Sequence, residues 1–190
     1  MLSRRGLVAG LAGSALATSL RRPAAAAAIL TDDGIYTQPW FLESFLELAD
    51  DLRGATDKGK RFAIMWELKG CPFCRDVHLK NFAQPAVETY IKDRFEILQL
   101  NIRGSREVTD FDGEKLSEKA FAAKYGIRFT PTFQFFPERS DGLREKPPAS
   151  REVARGRGYL EPNRFVAMFR FVADRAYEKG SLEDYLKANS

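Results

Sequence analysis

The chain of 190 residues carries 30 Lys and Arg against 26 Asp and Glu, a formal charge of +4. Four of the basic residues, Arg4, Arg5, Arg21 and Arg22, fall within the first 28 positions, so the remainder holds 26 of each sign. That balance excludes a basic surface for nucleic acid or anionic lipid, and a remainder of about 160 residues suits one domain whose core draws on Phe.

Taken in order, the chain opens with a segment that does not read as part of a fold. Arg4 and Arg5 precede an apolar stretch, Gly6 to Leu20, followed by Arg21-Arg22-Pro23 and an alanine tract with small-x-small cleavage sites. The stretch is too short to span a bilayer, so it predicts a cleaved export leader over residues 1–28 and no stable membrane anchor. Ser3-Arg4-Arg5 with Leu7 resembles the twin-arginine signal, although Leu7 stands where Phe is frequent, and the second basic pair fits that route. A single domain over residues 29–190, exported to the periplasm, is the expectation.

Leu30 to Gln38 is polar and predicts a loose lead-in. Trp40 to Leu52 places Phe41, Phe45, Leu48, Ala49 and Leu52 on a helical stripe that Gly54 would close. After a turn over Asp57 to Arg61, Phe62-Ala63-Ile64-Met65-Trp66 is a buried strand, and Asp76 to Phe82 begins a helix. Ala86 to Ile91, behind Pro85, is a second short helix, and Phe95 to Ile102 a second buried strand. Arg103 to Glu118 is a polar insertion in which Asp112-Gly113 marks a small hairpin. Ser117 to Tyr125 is a helix ended by Gly126. In Ile127 to Phe136, a proline inside a β-rich run argues for a strand start at Thr132 and a special peptide bond before Pro131. A charged turn then leads to an edge strand over Glu152 to Arg157, a long helix from Pro162 to Lys179, and a short one over Ser181 to Ala188.

Both cysteines lie in Lys69-Gly70-Cys71-Pro72-Phe73-Cys74-Arg75, at a strand-to-helix turn. Backbone N–H groups at a helix start, with Lys69 and Arg75, favour thiolate over thiol, and Pro72 suits a first helical turn because it has no N–H to lose. Two cysteines at this spacing can close a small ring that a partner's thiol reopens. Three other readings compete. Haem attachment needs His after the second Cys, where Arg75 stands. A zinc site could recruit His78 but lacks a fourth ligand, which leaves His78 as a helix-surface residue near the cysteines. A structural disulfide closing so short a loop constrains the unfolded chain little. The expected chemistry is therefore redox, with no metal and no cofactor beyond a redox-active Cys71–Cys74 disulfide.

The motif Gly70-Cys71-Pro72-Phe73-Cys74, followed some sixty residues later by Tyr125-Gly126-Ile127-Arg128-Phe129-Thr130-Pro131-Thr132, resembles the thioredoxin superfamily over roughly Phe41 to Tyr177. With the leader and the polar insertion, the chain looks most like the periplasmic SoxW-type thioredoxins that accompany sulfur-oxidation proteins. The resemblance implies an α/β thioredoxin-like fold: a central mixed sheet flanked by helices, with a small polar insertion before the cis-proline segment. It implies Cys71 as nucleophile, Cys74 as resolving thiol, and Pro131 against the pair, with the backbone of Thr130 open to an extended partner segment. Two departures stand out. Met65 occupies the position of the family's buried Asp, which leaves proton transfer to another acid, with Glu67 the nearest candidate, or to water, and Gly70 replaces the indole before the first Cys. The implied activity is an exported thiol-disulfide oxidoreductase that reduces partner-protein disulfides with electrons from a membrane thiol carrier. A non-enzymatic binding module, or a disulfide donor or isomerase, is the alternative.

Overall fold

The structure, a computed structural model, describes residues 24–189, so residues 1–23 of the predicted leader lie outside it. Its centre is a strand, β3 (Arg61–Glu67), that is buried along nearly its whole length. β3 pairs in parallel with β4 (Phe95–Asn101) through a seven-residue register from Arg61↔Phe95 to Glu67↔Asn101. On its other side it runs antiparallel to β7 (Thr132–Phe135), which in turn pairs with β8 (Ala154–Arg157), giving the order β4-β3-β7-β8.

Strand alternation divides the core into two layers. Ala63 and Met65 of β3, with Ile97, Phe133 and Phe135, face one side, where Phe82, Phe165 and Phe169 pack edge to face against them. Those rings come from the cysteine helix and from α5 (Pro162–Ala173). Phe62, Ile64 and Trp66 face the other side with Leu98 and Leu100, beneath α1 (Leu48–Asp57) and α4 (Glu118–Lys124). Glu67 ends the first series, so it points to the layer that holds the cysteine helix. α5 approaches β8 very closely at Gly156, where an added Cβ would meet Met168 Sδ at 2.0 Å.

The cysteine helix has two parts. α2 (Pro72–Asp76) runs straight into a π-helical turn, Val77–Asn81, closed by Phe82 N–H donating to Val77 O at 3.0 Å. The turn carries Val77, His78, Asn81 and Phe82 inward together, while Leu79 and Lys80 stay outside. α3 (Pro85–Lys92) then leads into β4.

Several sequence expectations need correction. Trp40 to Glu47 is not helical: Leu46 has a positive φ of 64°, Phe45 is 98% exposed, and α1 begins at Leu48. Gly54, expected to close that helix, lies inside it. The lead-in is ordered into a small hairpin, β1 (Ile29–Leu30) with β2 (Tyr36–Thr37). The long helix stops at Ala173, because Arg175 takes a left-handed φ of 54°, and α6 (Leu182–Ala188) follows. The predicted hairpin of the polar insertion is present as β5 (Glu107–Thr109) and β6 (Lys115–Ser117). Ser117 caps α4, accepting from Ala120 N–H at 3.2 Å.

A buried ionic cluster ties that insertion to the turn before β8. Arg151, almost fully enclosed, donates to Asp110 Oδ2 at 2.7 Å, to Asp112 Oδ2 at 2.8 Å and to the Tyr125 hydroxyl at 3.1 Å. Lys124 adds bonds to Asp110 and Asp112. Burial pushes the Tyr125 phenol far above its ordinary value, with Arg151 pulling the other way. Burial also opposes ionisation of Asp112, but the Lys124 and Arg151 hydrogen bonds win and hold its carboxyl well below the usual range. Removing one member of such a cluster strands the others away from water. Arg151→Ala should therefore lower the unfolding free energy by about 3–5 kcal/mol in chemical denaturation, and a loss within error of zero would contradict this account.

Candidate active site

Gly70 makes the turn between β3 and the cysteines with φ of +75°, a conformation that suits a residue without Cβ. Cys71 N–H donates back to Leu68 O at 3.1 Å, which fixes Cys71 as the residue capping α2. Its Sγ accepts from Cys74 N–H at 3.2 Å and lies 3.6 Å from the Thr130 carbonyl oxygen. Cys71 and Cys74 are joined as a disulfide, Cα to Cα 5.3 Å. Cys71 is half-buried, whereas Cys74 is only 4% exposed.

The predicted site residues divide between a surface rim and a buried support. Pro72, Phe73 and Arg75 are on the surface. Phe73 is 57% exposed and stacks on Tyr159 at 6.5 Å between centroids. Arg75 turns to Asp76 at 3.3 Å, so its charge is partly offset by that carboxylate. The Thr130–Pro131 bond is cis, and Pro131 is buried next to Thr130, whose carbonyl oxygen faces Cys71 Sγ. Glu67 is fully buried, yet it lines a cavity of about 170 Å³ together with Cys71, Cys74 and Tyr36.

His78 is the main correction. Rather than sitting on the helix surface, it is fully buried among Tyr36, Phe41 and Phe82, because the π-helical turn swings it inward. Its Nε2 lies 2.7 Å from Glu67 Oε1, and its Nδ1 lies 3.1 Å from Gln38 Nε2. An amide nitrogen only donates, so Nδ1 accepts and the ring proton sits on Nε2, directed at Glu67. Gln99 Nε2 donates to Glu67 Oε2 at 2.5 Å and to Tyr36 O at 2.6 Å. Both ring nitrogens of His78 are thus engaged away from the cysteines. Among the described residues no three His, Cys, Asp or Glu side chains are grouped to hold a metal.

Sequence reasoning missed Gln38 and Gln99. Gln99 was the more legible of the two, since a Gln inside Phe95-Glu96-Ile97-Leu98-Gln99-Leu100 must find a partner if the strand is buried. Gln38 carried no comparable mark, because its stretch read as polar lead-in.

This network predicts strong coupling. Glu67→Leu leaves the His78 Nε2–H unpaired and Gln99 with its bond to Tyr36 O alone, and should cost about 2–4 kcal/mol, while Glu67→Leu with His78→Leu should cost less than the sum of the two single changes by about 1 kcal/mol or more. Additive losses in urea denaturation would show that the two side chains do not act as a pair.

Comparison with known proteins agrees with this geometry. A family model described as a thioredoxin-like domain matches residues 48–173. No curated protein sequence matches the chain. Among solved structures, a thioredoxin-fold protein from Helicobacter pylori aligns with a TM-score of 0.53 at 20% identity, over 69% of this chain and 84% of that one. A thioredoxin from Thermus thermophilus aligns at 0.48 and 21%, over 66% and 83%, and the oxidised C-terminal domain of DsbD from Neisseria meningitidis at 0.41 and 17%, over 67% and 97%. The first of these carries the likeness of fold. The family match and the paired cysteines together support thiol-disulfide oxidoreductase chemistry at the general level. With its mixed sheet, its Cys71–Cys74 pair at a helix start and its cis-proline alongside, the chain belongs to the thioredoxin-like domain family.

Proposed function

We propose that this protein is a reductase of partner-protein disulfides, working through Cys71 and Cys74. The observation that carries this reading is the asymmetry of the pair: a half-buried Cys71 whose sulfur accepts the Cys74 N–H at 3.2 Å, beside an almost fully buried Cys74. A hydrogen bond to the sulfur favours the thiolate, and the thiolate is the nucleophile.

In the reduced protein, the Cys71 thiolate attacks one sulfur of the partner's disulfide. A mixed disulfide forms, and the partner's other sulfur leaves as a thiolate that takes up a proton. The Cys74 thiol then loses its proton and attacks Cys71 Sγ, which releases the partner's second sulfur and leaves the Cys71–Cys74 disulfide. The partner gains two electrons from the chain and two protons, one given up by Cys74 and one from solvent. Glu67 would take the Cys74 proton, a role supported by its place on the wall of the cavity that Cys74 shares. His78 and Gln99 hold its two oxygens, so His78 is a positioning residue. Pro131 and Thr130 form the wall along which an extended partner segment would lie.

The leader and the SoxW-type resemblance support export to the periplasm and a partner in sulfur oxidation. Because that compartment is kept oxidising, a reductase there draws electrons from a membrane thiol carrier. No helix among the described residues is long and apolar enough to cross a membrane.

Two measurements test the proposal. An insulin-type disulfide reduction assay should show turnover that Cys71→Ser abolishes, and Cys74→Ser should trap Cys71 in a mixed disulfide; activity that survives loss of Cys71 would sink the reading. The second is the potential. Phe73 offers the sulfurs neither charge nor hydrogen bond, whereas the Cys74 backbone N–H, donated to Cys71 Sγ, still favours thiolate. Equilibration with glutathione should place the pair between about −270 mV and about −120 mV, in the more reducing half. A value near the oxidising end would make the protein a disulfide donor.

A further inference from the structure

The residues that flank Thr130 and Pro131 in the chain line a cavity of about 300 Å³ whose wall includes Arg128, Phe129, Thr132, Arg155 and Arg157. It is built onto the cis-proline segment itself. Thr132 follows Pro131 and is paired with Arg157 across β7 and β8, Gly158 N–H donates to Pro131 O at 2.8 Å, and Thr132 Oγ1 donates to Phe129 O at 2.8 Å.

The three arginines are not equivalent. Arg155 is neutralised, with its Nη2 at 2.9 Å from both Glu152 Oε2 and the Tyr125 carbonyl. Arg128 and Arg157 are exposed and have no ion pair among the described residues, and no acidic side chain lines the cavity. Phe129, 66% exposed, stands beside them. Two guanidinium groups without counter-ions, next to an apolar ring, match a carboxylate: the guanidinium fork binds it in bidentate fashion and is weakly hydrated.

We infer that this cavity selects partner segments carrying an acidic side chain, Asp or Glu, close in sequence to the cysteine that Cys71 attacks. The inference rests on the reading that a partner's disulfide is drawn along Thr130 and Pro131, and it adds the chemistry by which that partner is chosen. Contact with the carboxylate is made before and during exchange, while the disulfide chemistry remains that of the two cysteines.

The test uses disulfide-linked peptides that differ at one position beside the cysteine, Glu, Gln or Lys, all amidated at the C-terminus. A fourth, with Gln and a free C-terminal carboxylate, separates side-chain from terminal recognition. The wild-type protein should reduce the Glu peptide with a kcat/KM about tenfold above that of the Gln peptide, with the Lys peptide lowest and the free-terminus peptide near the Gln value. Raising the salt from about 0.05 M to about 0.5 M should shrink that ratio. In Arg128→Gln with Arg157→Gln the Glu-to-Gln ratio should fall toward one, whereas Lys58→Gln, at the opposite end of β3, should keep it. A wild-type ratio near one, a ratio that survives loss of both arginines, or a preference for the free terminus would overturn the inference and leave the redox reading intact. If no peptide is reduced, the redox reading fails, and fluorescence anisotropy with serine versions of the Glu and Gln peptides decides the cavity alone. Tighter binding of the Glu peptide that the double substitution removes supports it, and equal binding overturns it.

Discussion

The parallel pairing of β3 with β4 is the constraint on which the rest depends. Seven consecutive residues are locked in register, and since both faces of β3 are covered, every side chain along it is assigned to a layer. A slip of one residue would exchange the layers and expose Glu67 to the wrong one. The cysteine turn follows the end of this strand directly, so the reactive pair inherits its position from the most buried segment of the protein.

The same constraint explains why an acid can be tolerated inside. Glu67 sits at the last position of the strand, where the layer opens toward the cysteines, and three polar groups from separate elements meet it or its partner: His78 from the cysteine helix, Gln99 from β4 and Gln38 from the lead-in. Buried ionisable groups persist where their hydrogen bonds are supplied. The aromatic rings of Tyr36, Phe41 and Phe82 close this site from outside, which gives the lead-in hairpin a function in enclosing the network rather than in extending the sheet.

Much of this was legible in the sequence where a pattern had a single structural meaning. Phe62 to Trp66 is too apolar to be anything but buried, Asp112-Gly113 marks a turn, and the position of Pro131 in a β-rich run located the start of β7 and marked the preceding bond, which is cis, as special. The failures came from patterns with two meanings. Phe41, Phe45 and Leu48 are spaced as on a helix, yet Phe41 is held by Trp40 and Phe82 and Phe45 by nothing, so the spacing is coincidental. His78 looked superficial because helical periodicity assumes 3.6 residues per turn, and an inserted π-helical turn breaks that assumption. The arginine cavity was illegible for a third reason: Arg128 and Arg157 are far apart in sequence and meet only through the pairing of β7 with β8.

Gly156 sits between Arg155 and Arg157, and its missing side chain lets α5 rest directly on β8. β8 is the last strand of its sheet, bonded on one side only, so it has room to yield outward and its spacing is set from within by Met168. A bulkier residue at 156 would first have to displace the Met168 side chain, and only a group too large for that flexible chain to yield to would press β8, and Arg157 with it, outward. The width of the proposed docking surface thereby depends on a packing contact that lies beneath it.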